Sequence, residues 1–154
     1  MKISFKGDYA IKSLLYLSLK SEDQKGAYFQ LSEISYTQDV PDKFLEQILL
    51  ILKKADYLTS QRGVNGGFAL NKDPATIKLG EIIRLIDGPV ATITCASKSA
   101  YRHCDFENRC VLKPIWQKVN TAVCNIVDNI TFKDLIEKER KLERSRAQHL
   151  MYYI

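Results

Sequence analysis

Over residues 8–19 the apolar positions return at helical spacing, with Ile11, Leu14 and Leu15 on one stripe and Ala10 and Leu17 beside it. This rhythm predicts an amphipathic first helix, ended by Gly26 and its polar neighbours. A short second helix fits residues 31–37. Asp39-Val40-Pro41 then makes a turn, in which Pro41 suits the first position of a third helix because the amide donor it lacks has no use there. Phe44, Leu45, Ile48, Leu49, Leu52 and Ala55 form the apolar stripe of that helix and leave Lys43, Glu46, Gln47, Leu50 and Lys54 on the opposite side.

The rhythm changes after residue 56. Residues 57–61 and 68–70 read as two short strands joined by the glycine-rich turn Arg62-Gly63-Val64-Asn65-Gly66-Gly67. Helix, helix, turn, helix and hairpin is the order of a winged helix-turn-helix, whose third helix enters the major groove. Residues 77–87 give another helix, stopped by Gly88-Pro89. Pro114 opens a long helical stretch with Ile115, Val119, Ala122, Val123, Ile126 and Val127 on one side. Thr131 is a fitting N-cap for a further helix, with Asp134 as the acidic member of a capping box. A helix this apolar beside a small DNA-binding module is expected to bury its stripe against the same helix of a second protomer. The fold class is therefore mainly α with a small β-hairpin wing, a winged helix-turn-helix plus a long dimerisation helix. Three regions follow: a DNA-binding domain over residues 1–88, a cysteine-rich loop over 89–112, and a dimerisation helix with a C-terminal helix or tail over 113–154.

At 154 residues and 45% hydrophobic content, the chain can bury one compact core with an appended element. No apolar run nears the roughly 20 residues that cross a bilayer, and no apolar leader precedes a small-residue cleavage site, so the expected location is the cytoplasm. There thiols stay reduced, which turns four cysteines toward ligation, redox sensing or packing and away from a disulfide framework. A formal charge of +5 suits a polyanionic partner.

Cys95, Cys104 and Cys110 are spaced C-x8-C-x5-C across a polar stretch, 96–109, that has neither helical nor strand periodicity. Three soft thiolates on one flexible segment suit an iron-sulfur cluster or zinc, and the lack of paired C-x2-C knuckles makes zinc the less favoured of the two. His103 abuts Cys104 and is a further candidate donor, set against the commoner role of a solvated loop histidine. Cys124 lies among apolar helical residues and reads as a small buried hydrophobe. Asp8, taken by itself, reads as a helix cap. On the third helix Glu46 and Gln47 have the chemistry to read cytosine and adenine edges, and Lys43 suits phosphate. Arg62 fits a narrowed minor groove, and Asn65 fits the backbone or a base beside it. The charged stretch 137–146 reads as a solvated helix or tail. With no C-x-x-C motif and no glycine loop between strand and helix, nothing points to an enzyme.

Several segments together resemble one family. These are Met1-Lys2-Ile3-Ser4-Phe5-Lys6-Gly7-Asp8-Tyr9-Ala10, Phe44-Leu45-Glu46-Gln47-Ile48-Leu49, the wing Arg62 to Phe68, and Leu79-Gly80-Glu81-Ile82-Ile83, followed by the three cysteines. In this order they resemble the winged-helix repressors typified by the iron-sulfur regulator IscR, the nitric-oxide sensor NsrR and the iron-response regulator RirA. The resemblance implies a homodimer on operator DNA with dyad symmetry, and a two- or four-iron cluster that tunes operator affinity to nitric oxide, redox state or iron supply. IscR-like proteins have their first two cysteines closer together and use a histidine three residues beyond the third; here Lys113 stands in that place. NsrR-like members take an aspartate near the start of helix one from the opposite protomer, and Asp8 occupies that position. The implied ligand set is Cys95, Cys104, Cys110 and the partner's Asp8. The competing expectation is a cluster-free regulator or interaction module that uses the cysteines as a thiol/disulfide switch.

Overall fold

Ser4 decides where the first helix begins. In the computed structural model of the chain, which describes residues 3–97 and 100–151 with side chains through Ala147, the Ser4 hydroxyl accepts a hydrogen bond from the Gly7 amide at 3.0 Å and α1 runs Phe5–Asp23. The expected start at residue 8 is too late because Phe5 is 81% exposed and adds nothing to the apolar rhythm. Asp8 is thus a first-turn residue and not the cap. Gly26, at φ 76°, turns the chain toward the next helix, a conformation that costs glycine least.

Helix α2 spans Leu31–Gln38 and α3 spans Asp42–Lys54, with Pro41 at the cap, one position earlier than expected. Leu45, Ile48, Leu49 and Leu52 are fully buried. Phe44, expected in the same stripe, is 56% exposed, because it stands about 100° around the helix from Leu45, at the edge of the buried arc. Strands β1 (Leu58–Gln61) and β2 (Gly67–Leu70) pair antiparallel with Leu58 opposite Leu70 and Gln61 opposite Gly67. Phe29 adds a further bridge to Phe68, with N–H···O bonds of 2.9 Å in both directions. Gly67 lies at φ 148° against the Phe29 carbonyl, where a Cβ would collide with backbone.

Helix α4 runs Leu79–Asp87, two residues shorter at its start than the periodicity suggests. Lys78 is held extended in a bridge with Thr131, and the Phe132 amide donates to the Ile77 carbonyl at 3.0 Å, so Ile77 is buried as extended chain. Two 3-10 turns, Thr94–Ala96 and Glu107–Arg109, interrupt the expected featureless loop. Helix α5 follows at Lys113–Val127 with Pro114 in its first turn, and α6 at Phe132–Met151. The capping box forms as expected: the Asp134 amide donates to the Thr131 hydroxyl at 3.1 Å, and the Thr131 amide donates to the Asp134 carboxylate at 2.8 Å.

The core draws Leu14 and Leu17 of α1, Ile34 of α2, the α3 stripe, Leu58, Ile77, Ile82 and Phe132 together. Through Phe132 and Ile136, α6 comes back onto α1, and Lys133 and Arg140 reach Glu22 at 2.5 and 3.0 Å. The apolar positions of α5 divide between two sides. Val123 and Val127 pack on Ile83 and Val90 in a second cluster, while Ile115 and Ile126 are 52% and 61% exposed. Among the described residues no helix is long and apolar enough to cross a membrane.

Candidate DNA-reading face and cysteine site

Burial of Leu45, Ile48, Leu49 and Leu52 turns the other side of α3 outward, so Lys43, Glu46 and Gln47 are all exposed. Phe44 joins them, three residues before Gln47 and therefore beside it on the helix surface. Periodicity had assigned Phe44 to the core, and only the buried arc seen in the fold reveals it as an apolar group available to a thymine methyl. Arg62 and Asn65 project from the hairpin turn, both exposed. The turn is braced from several sides. Gly66 donates to the Gly63 carbonyl at 2.9 Å, the Gln30 side-chain amide donates to the Val64 carbonyl at 2.9 Å, and the Lys53 ammonium donates to the Ser60 hydroxyl at 2.6 Å. Helix face and wing tip are thus fixed to one body.

The cysteine loop is held at its start by Asn120, a buried residue of α5. Its Oδ1 accepts from the Thr92 amide and hydroxyl at 2.9 and 3.0 Å, and its Nδ2 donates to the Ala96 carbonyl at 3.1 Å. Cys95 lies between those two anchors. Farther along, the Arg102 amide reaches back to the Thr94 carbonyl at 3.3 Å. Glu107 organises the rest: its two carboxylate oxygens lie 2.9 Å from the Tyr101 hydroxyl, which donates to them, and Lys113 and His103 approach at 3.3 and 3.8 Å. The Tyr101 hydrogen bond first, and the Lys113 ammonium after it, hold the Glu107 carboxyl below its ordinary range. The same hydrogen bond pushes the Tyr101 phenol upward. Lys113, at the position where IscR-like proteins carry a histidine, therefore supports Glu107, and His103 faces Asp105 and Glu107. No periodic or spacing signal marks Asn120 or Glu107, and sequence reasoning passed over both.

All four cysteines are free thiols; Cys95 is buried, while Cys104, Cys110 and Cys124 are half-buried. Cys124, expected to be buried among apolar neighbours, instead lies on the wall of an open cavity with Cys95, and packs only one side on the second cluster. Asp8 stands half-exposed on the first turn of α1, its carboxylate 2.7 Å from the Lys12 ammonium, and this contact raises the Lys12 pKa. Phe5 and Ile3 flank it on the same surface. As a donor set, three thiolates and a carboxylate fit an iron-sulfur centre in kind. Within one protomer they are not gathered: among the described residues no three His, Cys, Asp or Glu side chains stand together as a metal-holding group.

Residues 3–138 match the Rrf2 family, described as an iron-dependent transcriptional regulator. An rrf2-like HTH-type transcriptional regulator of Rhodobacter capsulatus is 35% identical over 137 residues, which cover 87% of this chain and 91% of that protein. The HTH-type transcriptional regulator IscR of Escherichia coli is 30% identical over 149 residues, covering 97% of this chain and 88% of its own. Among solved structures, that of CymR, the global cysteine regulator of B. subtilis, is similar with a TM-score of 0.75 at 27% identity, covering 90% of this chain and 98% of that one.

Proposed function

The chain belongs to the Rrf2 family and is a DNA-binding transcriptional regulator of winged-helix fold, and from that premise we propose that it represses as a homodimer whose operator affinity is set by an iron-sulfur cluster on Cys95, Cys104, Cys110 and the partner's Asp8. Lys43, Glu46 and Gln47 present the sequence-reading and phosphate-binding groups, and Arg62 and Asn65 follow the adjoining minor groove. Two such faces related by a two-fold axis read an operator with dyad symmetry.

The observation that carries the sensing half is the placement of three free thiols on a loop hydrogen-bonded to α5, the helix on which Ile115 and Ile126 are exposed. When bound, the cluster supplies a crosslink that nitric oxide, oxygen or iron shortage destroys. This chain's own residues do the rest. Asn120 transmits the position of the loop to α5, Glu107 keeps the loop folded, and Asp8 exchanges its Lys12 partner for a ligand role. Phe5 on α1 and Phe106 and Val111 on the loop are apolar and exposed, which suits burial of these surfaces against each other across a dimer. A difference of about 1–3 kcal/mol between the two states changes operator affinity by roughly 5- to 150-fold.

The deciding experiment is the visible spectrum of protein purified without oxygen, with iron and acid-labile sulfide counted per chain, followed by binding to a duplex selected from a random pool before and after nitric oxide. Iron, sulfide and a binding change on nitric oxide are expected. The second reading, a cluster-free thiol switch, is favoured by the four free thiols and by the similarity to a cysteine regulator. It predicts protein without iron whose DNA binding responds to mild oxidant and is restored by reductant.

A further inference from the structure

Between the cysteine loop and α5 lies an open cavity of about 410 Å³, whose walls include Val90, Cys95, Tyr101, Lys113, Asn120 and Cys124. Two of its walls carry thiols from segments far apart in sequence. Asn120 fixes their relation, because its side chain donates to the carbonyl of Ala96, the residue after Cys95, while Cys124 follows Asn120 on α5 by one turn and on the same face. One turn is a rise of about 5.4 Å, so Cys124 stands one layer along α5 from the Asn120 anchor, and it lines the same cavity as Cys95. The start of the loop is tied to α5 by the Asn120 hydrogen bonds and by packing of Val90 against Val123 and Val127, and the cavity leaves open space beside the two thiols.

We propose that Cys95 and Cys124 are a redox pair that closes to an intrachain disulfide under peroxide. Cys124, the more open of the two, reacts first. Its thiolate attacks one peroxide oxygen, the O–O bond breaks, and a sulfenic acid forms with release of hydroxide, which takes up a proton as water. The Cys95 thiolate then attacks the sulfenic sulfur, an S–S bond forms, and the departing hydroxide leaves as a second water. In sum two thiols and one hydrogen peroxide give one disulfide and two waters; sulfur is oxidised and peroxide oxygen reduced. Closure removes Cys95 from any ligand set and ties the start of the loop covalently to α5. A cluster-bearing loop and a thiol switch are then successive states of one site, but the disulfide itself forms in protein that carries no cluster.

The test uses full-length, cluster-free, reduced protein treated with hydrogen peroxide, quenched with catalase and then with an alkylating agent. The expected result is loss of two of the four thiols, a chain mass lower by about 2 Da, and a proteolytic peptide joining the segment of Cys95 to that of Cys124. The oxidised chain is also expected to melt roughly 5 °C or more higher, because the bridge closes a loop. A protein with both Cys104→Ser and Cys110→Ser keeps the bridge, and Cys124→Ser loses it. A bridge between Cys104 and Cys110, bridges only between chains, or four intact thiols in folded protein would each overturn the pair. Should the variants fail to fold, the peptide map of the wild-type chain decides by itself. Iron and sulfide counts on anaerobically purified protein settle the cluster separately, so the two readings fail on different samples.

Discussion

Among the described residues the half-exposed Asp8 carboxylate is held by one partner, Lys12, a turn along α1. Exposed pairs one helical turn apart contribute only about 0.3–0.5 kcal/mol, so the fold does not commit Asp8 to this contact. Asp8→Ala is expected to move the melting temperature by less than about 2 °C yet to shorten the lifetime of a reconstituted cluster at fixed oxygen, followed by visible absorbance. An unchanged lifetime rules Asp8 out as a ligand. On the DNA face, Gln47→Ala should cost about 1–3 kcal/mol and relax preference at one base pair per half-site, whereas Lys43→Ala, at a phosphate contact, should weaken all duplexes alike and reduce the salt slope by about 1. A titration of selected and scrambled duplexes over a salt series separates the two behaviours, and equal losses on every duplex for Gln47→Ala would remove its reading role. The exposed polar side of α3 was legible because an amphipathic face leaves a local mark, whereas Asp8, which reads locally as a cap, stands in the first turn behind Ser4. Asn120 left none, since its hydrogen-bond partners Thr92 and Ala96 are brought near only by folding, and Glu107 left none because its neighbours Tyr101 and Lys113 sit in an irregular loop that follows no helical or strand spacing.

Among the elements, α6 shows how a local signal and a distant contact combine. Its capping box was readable from Thr131 and Asp134, but the reason it docks on α1, the fully buried Phe132, became visible only with the fold. Phe132→Ala is expected to destabilise by about 3–5 kcal/mol, measured by denaturant unfolding. The cap adds a dependence on pH. Hydrogen bonds from the Thr131 amide, and next from its hydroxyl, hold the Asp134 carboxyl below its ordinary value of 3.8. A carboxyl lowered on folding adds stability that is complete above its ordinary value and disappears as pH falls through the lowered one. Thr131→Ala should therefore cost about 1 kcal/mol at neutral pH and progressively less in acid below the ordinary Asp134 value; a penalty that stays constant into acid would mean that the carboxylate is not part of the cap. The late start expected for α1 and the early one expected for α4 have separate physical causes. One begins at a serine cap outside the apolar rhythm, and the other is preceded by an extended bridge that periodicity reads as helix.

For the molecule as a whole, α5 carries the heaviest consequence. Periodicity placed six of its residues on one side, but the fold spends Val123 and Val127 on the second core cluster and leaves Ile115, Val119, Ala122 and Ile126 directed away from it. These four recur at intervals of four, three and four residues, the spacing of a stripe that meets another helix. A monomer would keep large apolar groups in water there, whereas a second copy antiparallel or crossed on the same stripe covers both at once. Joining two DNA-reading faces turns the second half-site contact into an intramolecular event, which raises operator affinity by about 10²- to 10⁴-fold over a single face. The combined variant Ile115→Glu and Ile126→Glu, which touches neither the DNA face nor the cysteines, is expected to sediment as a folded monomer and to lose operator affinity by that margin while still binding an isolated half-site. A variant that remains dimeric and keeps full affinity would place the dimer contact elsewhere, and the loop would then be attached to a helix with no partner to inform.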